Sequence, residues 1–267
     1  MRVLIVLSTM VIVAVGAVIF FGGTVPHNSN SEKLGQEEDT PDTATVGFAL
    51  VELFTSEGCS SCPPAEKFLN RLAGEAEEKG IALFPVAFHV DYWDRLGWKD
   101  RFSSSMWSDR QRAYAEAFRS ESIYTPQMIV NGSVEFTGSN ESRGRNEIAK
   151  ALTMPVSLKI GISAGIDSVD VVRYACTLDT LPSNADLILL LVESNLTSDV
   201  SRGENKGKKL DHANVVRLLE RTSLGEANRV EGRLVIPDDV NQEELALIAF
   251  VQDQKTMKII GAVRSEL

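Results

Sequence analysis

Val51-Glu-Leu-Phe-Thr-Ser-Glu-Gly-Cys-Ser-Ser-Cys-Pro-Pro-Ala-Glu66 runs from an apolar segment into a Cys-x-x-Cys pair and on into a helix start. The apolar segment begins at Gly47 and continues to Phe54, as expected for a strand covered on both faces. Residues 65–79 then read as a helix, with Phe68, Leu69 and Leu72 on one side and Gly80 as its stop. Cys59 therefore falls where the positive end of a helix dipole stabilises a thiolate. Two intervening residues bring both sulfurs within bonding reach, so the pair can be a dithiol or a disulfide without large backbone motion. Pro63 and Pro64 disfavour helical dihedrals at Cys62 and Pro63, which predicts a turn tighter than a regular helix start.

Outward from this stretch, strand and helix alternate. Ile81 to Phe88 reads as a second buried strand, and Pro85 within it suggests an edge position or a distortion. Residues 104–119 form a second helical pattern. Two short strand-like runs, 127–130 and 134–137, flank Asn131-Gly132, the strongest short hairpin signal. A third helix fits 140–152. The order β-α-β-α-β-β-α predicts a mixed sheet with helices on its faces. After Met154-Pro155 the character changes. Runs at 156–163, 169–178, 186–194, 213–221, 230–236, 245–252 and 257–263 read as strands of an antiparallel sandwich, although 213–221 also suits a helix. The expected division is thus an α/β domain over 46–153 and a β-sandwich-like domain over 154–267.

The βαβ–ββα order, the Cys-x-x-Cys after the first strand and Ile123-Tyr-Thr-Pro126 before the third resemble the thioredoxin-like superfamily. The long motif quoted above, with His89-Val-Asp-Tyr-Trp-Asp-Arg-Leu-Gly-Trp98, Gly203-Glu-Asn-Lys-Gly207 and Leu210-Asp-His-Ala-Asn-Val-Val-Arg217, is similar to a bacterial family of secreted thioredoxin-like proteins known mainly as a domain of unknown function. The resemblance covers roughly 46–265. It implies a thioredoxin-like fold and an extracytoplasmic compartment, and it names no substrate. It further implies a cis bond at Thr125-Pro126, shaping a groove for an extended partner backbone, and a buried acid on the first strand that assists proton transfer. Glu52 is the nearest match to that acid.

Three chemistries compete for the cysteines. In thiol–disulfide exchange, Cys59 attacks a partner disulfide and Cys62 resolves the mixed disulfide, with no cofactor beyond the pair itself. Thr125, Asp91 and Trp93 then line the substrate groove, and the partners are protein thiols or disulfides and a further redox protein. In the second, Cys59, Cys62 and His89 bind Cu(I) or another soft metal, since two thiolates and an imidazole suit such ions. In the third, the disulfide is a static staple of a binding module. Exchange requires a sulfur reachable from solvent; with neither reachable, only a scaffold remains. His89 has a bland alternative, a hydrogen bond to Asp91 or to backbone. Cys176 reads as core, His212 as structural, and Ser201 to Lys209 as a solvated loop or a contact with the thiol site.

Residues 1–23 carry a membrane address. Met1 and Arg2 precede an uncharged run from Val3 to Phe21, long enough to span a bilayer core. Its length favours an uncleaved anchor over a cleaved signal peptide. Residues 24–45 are polar and acidic and read as a disordered linker. The chain of 267 residues carries a net charge of -10, which excludes nucleic acid as the main partner because phosphate binding needs a basic face. Three cysteines are too few for a disulfide-built scaffold or a four-thiolate zinc site. Three histidines and no Gly-x-Ser-x-Gly elbow leave little room for a serine hydrolase.

Overall fold

The computed structural model describes residues 47–168 and 170–267. The anchor or signal segment and the linker expected for residues 1–45 lie outside the described residues. Among the described residues no helix is long and apolar enough to cross a membrane.

The first half follows the sequence pattern closely. β1 (Ala49–Thr55), α1 (Pro63–Lys79), β2 (Leu83–His89), α2 (Ser105–Phe118), β3 (Gln127–Val130), β4 (Val134–Thr137) and α3 (Glu141–Thr153) form in that order. β1 pairs in parallel with β2 and antiparallel with β3, and all seven of its residues are buried. Alternation divides its side chains between two cores. Leu50 and Phe54 pack with Trp107 and Tyr114 of α2, while Val51 and Leu53 pack with Phe68 and Leu72 of α1 and Ile148 of α3. Asn131 (φ 48°) and Gly132 (φ 59°) both lie in the left-handed region, the geometry of the hairpin turn that Asn-Gly predicts.

The second half is β5 (Ile160–Ser168), β6 (Val171–Leu178), β7 (Ala185–Glu193), β8 (Leu196–Asp199), β9 (Lys209–His212), β10 (Val215–Ser223), β11 (Arg229–Val235), β12 (Leu245–Asp253) and β13 (Ile259–Glu266). The expected boundary at residue 153 does not separate two sheets. One eight-stranded sheet runs β13-β12-β7-β10-β2-β1-β3-β4, and residues 47–267 belong to one compact unit. The joint is β10 beside β2, parallel, with Val215 opposite Ala87. The antiparallel region is nonetheless sandwich-like. Leu187, Leu189, Leu191 and Leu247 face a core shared with Val172, Tyr174, Cys176 and Leu234 of the separate sheet β11-β6-β5, while Ile188, Leu190, Ile248 and Phe250 face the α2 side. β7 and β12 are buried almost throughout because both their faces are covered. Cys176 is core, as expected, and burial pushes its thiol up to about 11.

Pro85 lies in an interior strand, contrary to the edge position its ring suggests. Ala87 N donates to Asn214 O, and Pro85 shares the parity of Ala87. The missing N–H of Pro85 therefore faces the side on which β10 has not yet begun. There the side-chain amide of Asn214 donates to Pro85 O at 2.8 Å. β8 and β9, which the sequence pattern does not announce, form a hairpin beside α1. The amide of Asn70 clasps it, donating to Asp211 O at 2.7 Å and accepting from Ala213 N at 3.1 Å.

Glu52, Arg110, Tyr114 and Gln252 tie β1, α2 and β12 together within the core. The guanidinium reaches both carboxylate oxygens of Glu52, at 2.7 and 3.0 Å, and donates to Gln252 Oε1 at 3.2 Å. Breaking a buried pair from one side leaves an uncompensated charge. Arg110→Leu is expected to lose about 3–5 kcal/mol in urea unfolding, and adding Glu52→Gln should recover part of it. A Cβ at Gly132 would lie 2.0 Å from Met257 O on a backbone already at positive φ. Gly132→Ala should therefore cost about 1–3 kcal/mol in the same measurement; an unchanged midpoint would remove the turn contact from the account.

Candidate functional site

The cysteine turn leaves the end of β1 and enters α1. Cys59 N donates to Ser56 O and Cys62 N to Cys59 O, so the turn is closed by its own backbone. The two cysteines form a disulfide with Cα atoms 5.4 Å apart. Pro63 and Pro64 occupy the first two helical positions, where no amide hydrogen is needed. Cys62 has helical dihedrals (φ −78°, ψ −36°), against the expectation drawn from Pro63. Its carbonyl already accepts from Ala65 N and Glu66 N, and those helix bonds outweigh the proline's steric preference.

The open mouth expected for exchange is closed. Cys59 and Cys62 are both 0% exposed, and only Ser60 and Ser61 of the turn reach the surface. The cover is the segment between β8 and β9. Asn205, itself buried, donates through Nδ2 to Glu57 O (2.8 Å) and to Cys59 O (2.9 Å). Glu204 accepts from Ser60 N at 3.0 Å. Gly203, at φ 72°, lets this segment pass against Trp98, where a Cβ would come within 3.1 Å. The basic stretch from Ser201 is therefore a contact with the thiol site.

Trp93 and Thr125 are brought together beside the turn. Trp93 Nε1 donates to Thr125 Oγ1 at 2.8 Å, and Trp93 Cβ lies against Gly58. The Thr125-Pro126 bond is cis. Asp91 points elsewhere and accepts from Ser108 Oγ of α2 at 2.5 Å. Glu52 lies on the α2 face of β1 and is held by Arg110 and Tyr114, with no hydrogen bond to either cysteine. The acids next to the turn are Glu57 and Glu66, two residues before Cys59 and four after Cys62.

These two acids belong to a buried ionic cluster with His89, Asp100 and His212, all at most 3% exposed. His89 Nδ1 meets Asp100 Oδ2 at 2.7 Å; its partner is Asp100, not Asp91. Asp100 also accepts from Glu57 N (2.8 Å) and Phe102 N (2.9 Å). His212 lies between the two glutamates, with Nε2 3.3 Å from Glu57 Oε1 and Nδ1 3.1 Å from Glu66 Oε2. Thr55 donates to Glu66 Oε1 at 2.6 Å, and Trp98 to Glu57 Oε2 at 2.7 Å. The ring of Phe102 packs edge-on against both imidazoles.

Burial opposes charge on His212, Glu66 and Asp100, yet their partners prevail. Burial would lower the His212 pKa, but Glu57 and Glu66 raise it to about 10. Burial would raise the Glu66 carboxyl, but His212, His89 and the Thr55 hydroxyl bring it below the usual carboxylate range. Asp100 is likewise depressed, against its desolvation, by His89 and two backbone N–H groups. The ligand-type group that forms around His89 thus contains Glu66 and His212, one donor atom of each within 4.8 Å of the others. Cys59 and Cys62 are bonded to each other instead.

Glu66 could have been found in the sequence, because an acid one turn past Cys62 falls on the helix face that also carries Leu69. The motif Gly203 to Gly207 pointed to the neighbourhood of Asn205, but the bonds of Asn205 and the ion pairs of His212 could not be found, since they depend on pairings across more than half the chain.

Solved structures share this architecture. A structure of AGR_C_4864 from Agrobacterium tumefaciens is similar at 24% identity and TM-score 0.61, covering 81% of this chain and 92% of that one. HBP35 of Porphyromonas gingivalis is similar at 13% identity and TM-score 0.56, covering 83% of this chain and 76% of that one. Both likenesses concern the fold alone. No curated protein matches the chain. The sequence profile of one family, described as a protein of unknown function (DUF1223), matches residues 50–252, and the chain belongs to that family.

Proposed function

We propose that the protein is an extracytoplasmic thiol–disulfide oxidoreductase whose Cys59–Cys62 pair works from beneath a removable cover. The observation that carries this reading is the position of the disulfide. It lies at the junction of β1 and α1, with Trp93 spanning from Gly58 to the Thr125 that precedes a cis proline. That arrangement matches the thioredoxin-like resemblance, and the apolar run Val3 to Phe21 supports a position outside the cytoplasm.

With neither sulfur reachable, the closed form is the scaffold that the sequence criterion names, and it exchanges nothing, since no thiolate can approach a sulfur that is 0% exposed. Exchange therefore requires the 201–208 segment to leave. Its direct bonds to the turn are those of Glu204 and Asn205, few enough for local opening. Once open, a partner thiolate attacks Cys59 Sγ, the Cys59–Cys62 bond breaks, and Cys62 departs as thiolate. A second partner thiolate then attacks the partner's own sulfur in the mixed disulfide and releases Cys59 as thiolate. Two electrons pass from the partner's dithiol to the cysteine pair. In the reverse direction Cys59 attacks and Cys62 resolves. Pro126 shapes the groove beside the turn. Glu52 is held by Arg110 and Tyr114 on the α2 face of β1.

Burial of both sulfurs favours a second reading, a structural disulfide in a non-catalytic binding module. Two measurements separate them. Cys62→Ser should accumulate mixed disulfides through Cys59 in the native compartment. Asn205→Ala, which removes two cover bonds, should speed reduction of the disulfide by dithiothreitol by about tenfold, the equivalent of 1.4 kcal/mol in the opening equilibrium. Absence of adducts, together with an unchanged reduction rate, would establish the staple.

A further inference from the structure

The ionic cluster beneath the cysteine turn has a feature that ion pairing alone leaves unexplained. Among the described residues, the buried side-chain nitrogens and oxygens lacking an aligned hydrogen bond are Glu57 Oε1, His89 Nε2, Ser198 Oγ and both ring nitrogens of His212. All but Ser198 Oγ lie in this one space. The His212 nitrogens are close to carboxylate oxygens but out of line for donation. A buried polar atom without a partner is costly, so such a concentration calls for an occupant.

The directions of the donors define that occupant. Asp100 accepts from two backbone amides and meets His89 at Nδ1, an arrangement in which the carboxylate fixes the ring and leaves Nε2 facing the cluster. Glu57 stands at Nε2 of His212, leaving Nδ1 on the side of Glu66. Thr55 occupies Glu66 Oε1, leaving Oε2. Two imidazoles, each backed by a carboxylate, and the Glu66 Oε2 that faces His212 Nδ1 at 3.1 Å therefore converge, and a bound cation takes the place of the proton between those two atoms. A carboxylate behind a ligating histidine is the common outer-shell arrangement of metal sites.

We propose that Glu66 Oε2, His89 Nε2 and His212 Nδ1 form a site for one divalent transition-metal cation of the zinc class, with Asp100 and Glu57 as positioning residues for the two imidazoles. Two nitrogens and one carboxylate oxygen suit Zn2+, which binds both at about 2.0–2.2 Å. The donors lie within 4.8 Å of one another, so closing on an ion needs only small side-chain shifts. Three carboxylates in a buried space also favour a dication. A cleft of about 840 Å3 has Asn70, Asp211 and His212 in its wall and so borders the site at one of the three ligands. Because Glu57 and Glu66 flank the cysteine turn, the bound ion clamps that turn against β9. The site stands whether or not the cysteines exchange.

The test is Zn2+ titration of the full-length chain in detergent after chelator treatment, with competition against a chromophoric chelator and metal analysis. One Zn2+ per chain is expected, with affinity reduced at least about 100-fold in His89→Gln and His212→Gln and about 10–100-fold in Asp100→Asn. Cys59→Ser/Cys62→Ser should keep the stoichiometry. Co2+ substitution of the unmutated chain gives a readout that needs no variant. Visible d–d bands without a thiolate charge-transfer band support the site. A thiolate band, no stoichiometric binding by the folded wild type, or unchanged affinity in both folded histidine variants overturns it.

Discussion

The arrangement rests on two hydrogen bonds between Asn214 and β2. The backbone carbonyl of Asn214 receives Ala87 N–H, and its side-chain amide reaches Pro85 O. They seat β10 beside β2 and carry the antiparallel strands into the same sheet as the α/β half. They also set where β9 ends. His212, two residues earlier, arrives between Glu57 and Glu66, and the segment before β9 is laid over the cysteines. The second half of the chain thus builds both the roof and one wall of the site.

That wall is expensive in isolation and stable only as a set. An ion removed from water costs several kcal/mol, and five ionisable groups share this space. Each has an oppositely charged or hydrogen-bonding neighbour, which is why Glu66 and Asp100 remain ionised despite burial. The same logic governs Glu52 and Arg110 on the other face of β1. Two separate polar sets therefore flank one apolar strand. The set next to the cysteines has unsatisfied donors and acceptors; the Arg110 set has none among the described residues.

Local pattern made the first half legible. Alternation in β1, the Gly80 stop and Asn131-Gly132 each act over a few residues, and the elements fall within about two residues of expectation. Most strands after residue 154 were legible for the same reason, but the run expected at 156–163 forms instead at Ile160–Ser168. Their continuity with the first sheet was not, because it depends on Val215 meeting Ala87. Pro85 misleads for a related reason: a proline forbids a ladder donor only where a neighbour needs one. β8 and β9, with the sequences LTSD and KLDH, are too short and polar to show a period. At the site, the cysteine pair and the cis proline could be located, and His89 singled out. The burial of the sulfurs, the pairing of Glu52 with Arg110 and the arrival of His212 all come from distant packing.

The cover over the disulfide has a consequence for biosynthesis. Glu57 and Asn205 are 148 residues apart in the chain. At ribosomal rates of about 5–20 residues per second, roughly seven to thirty seconds pass between their synthesis. Through that interval the nascent chain carries its thiols without the segment that will shelter them.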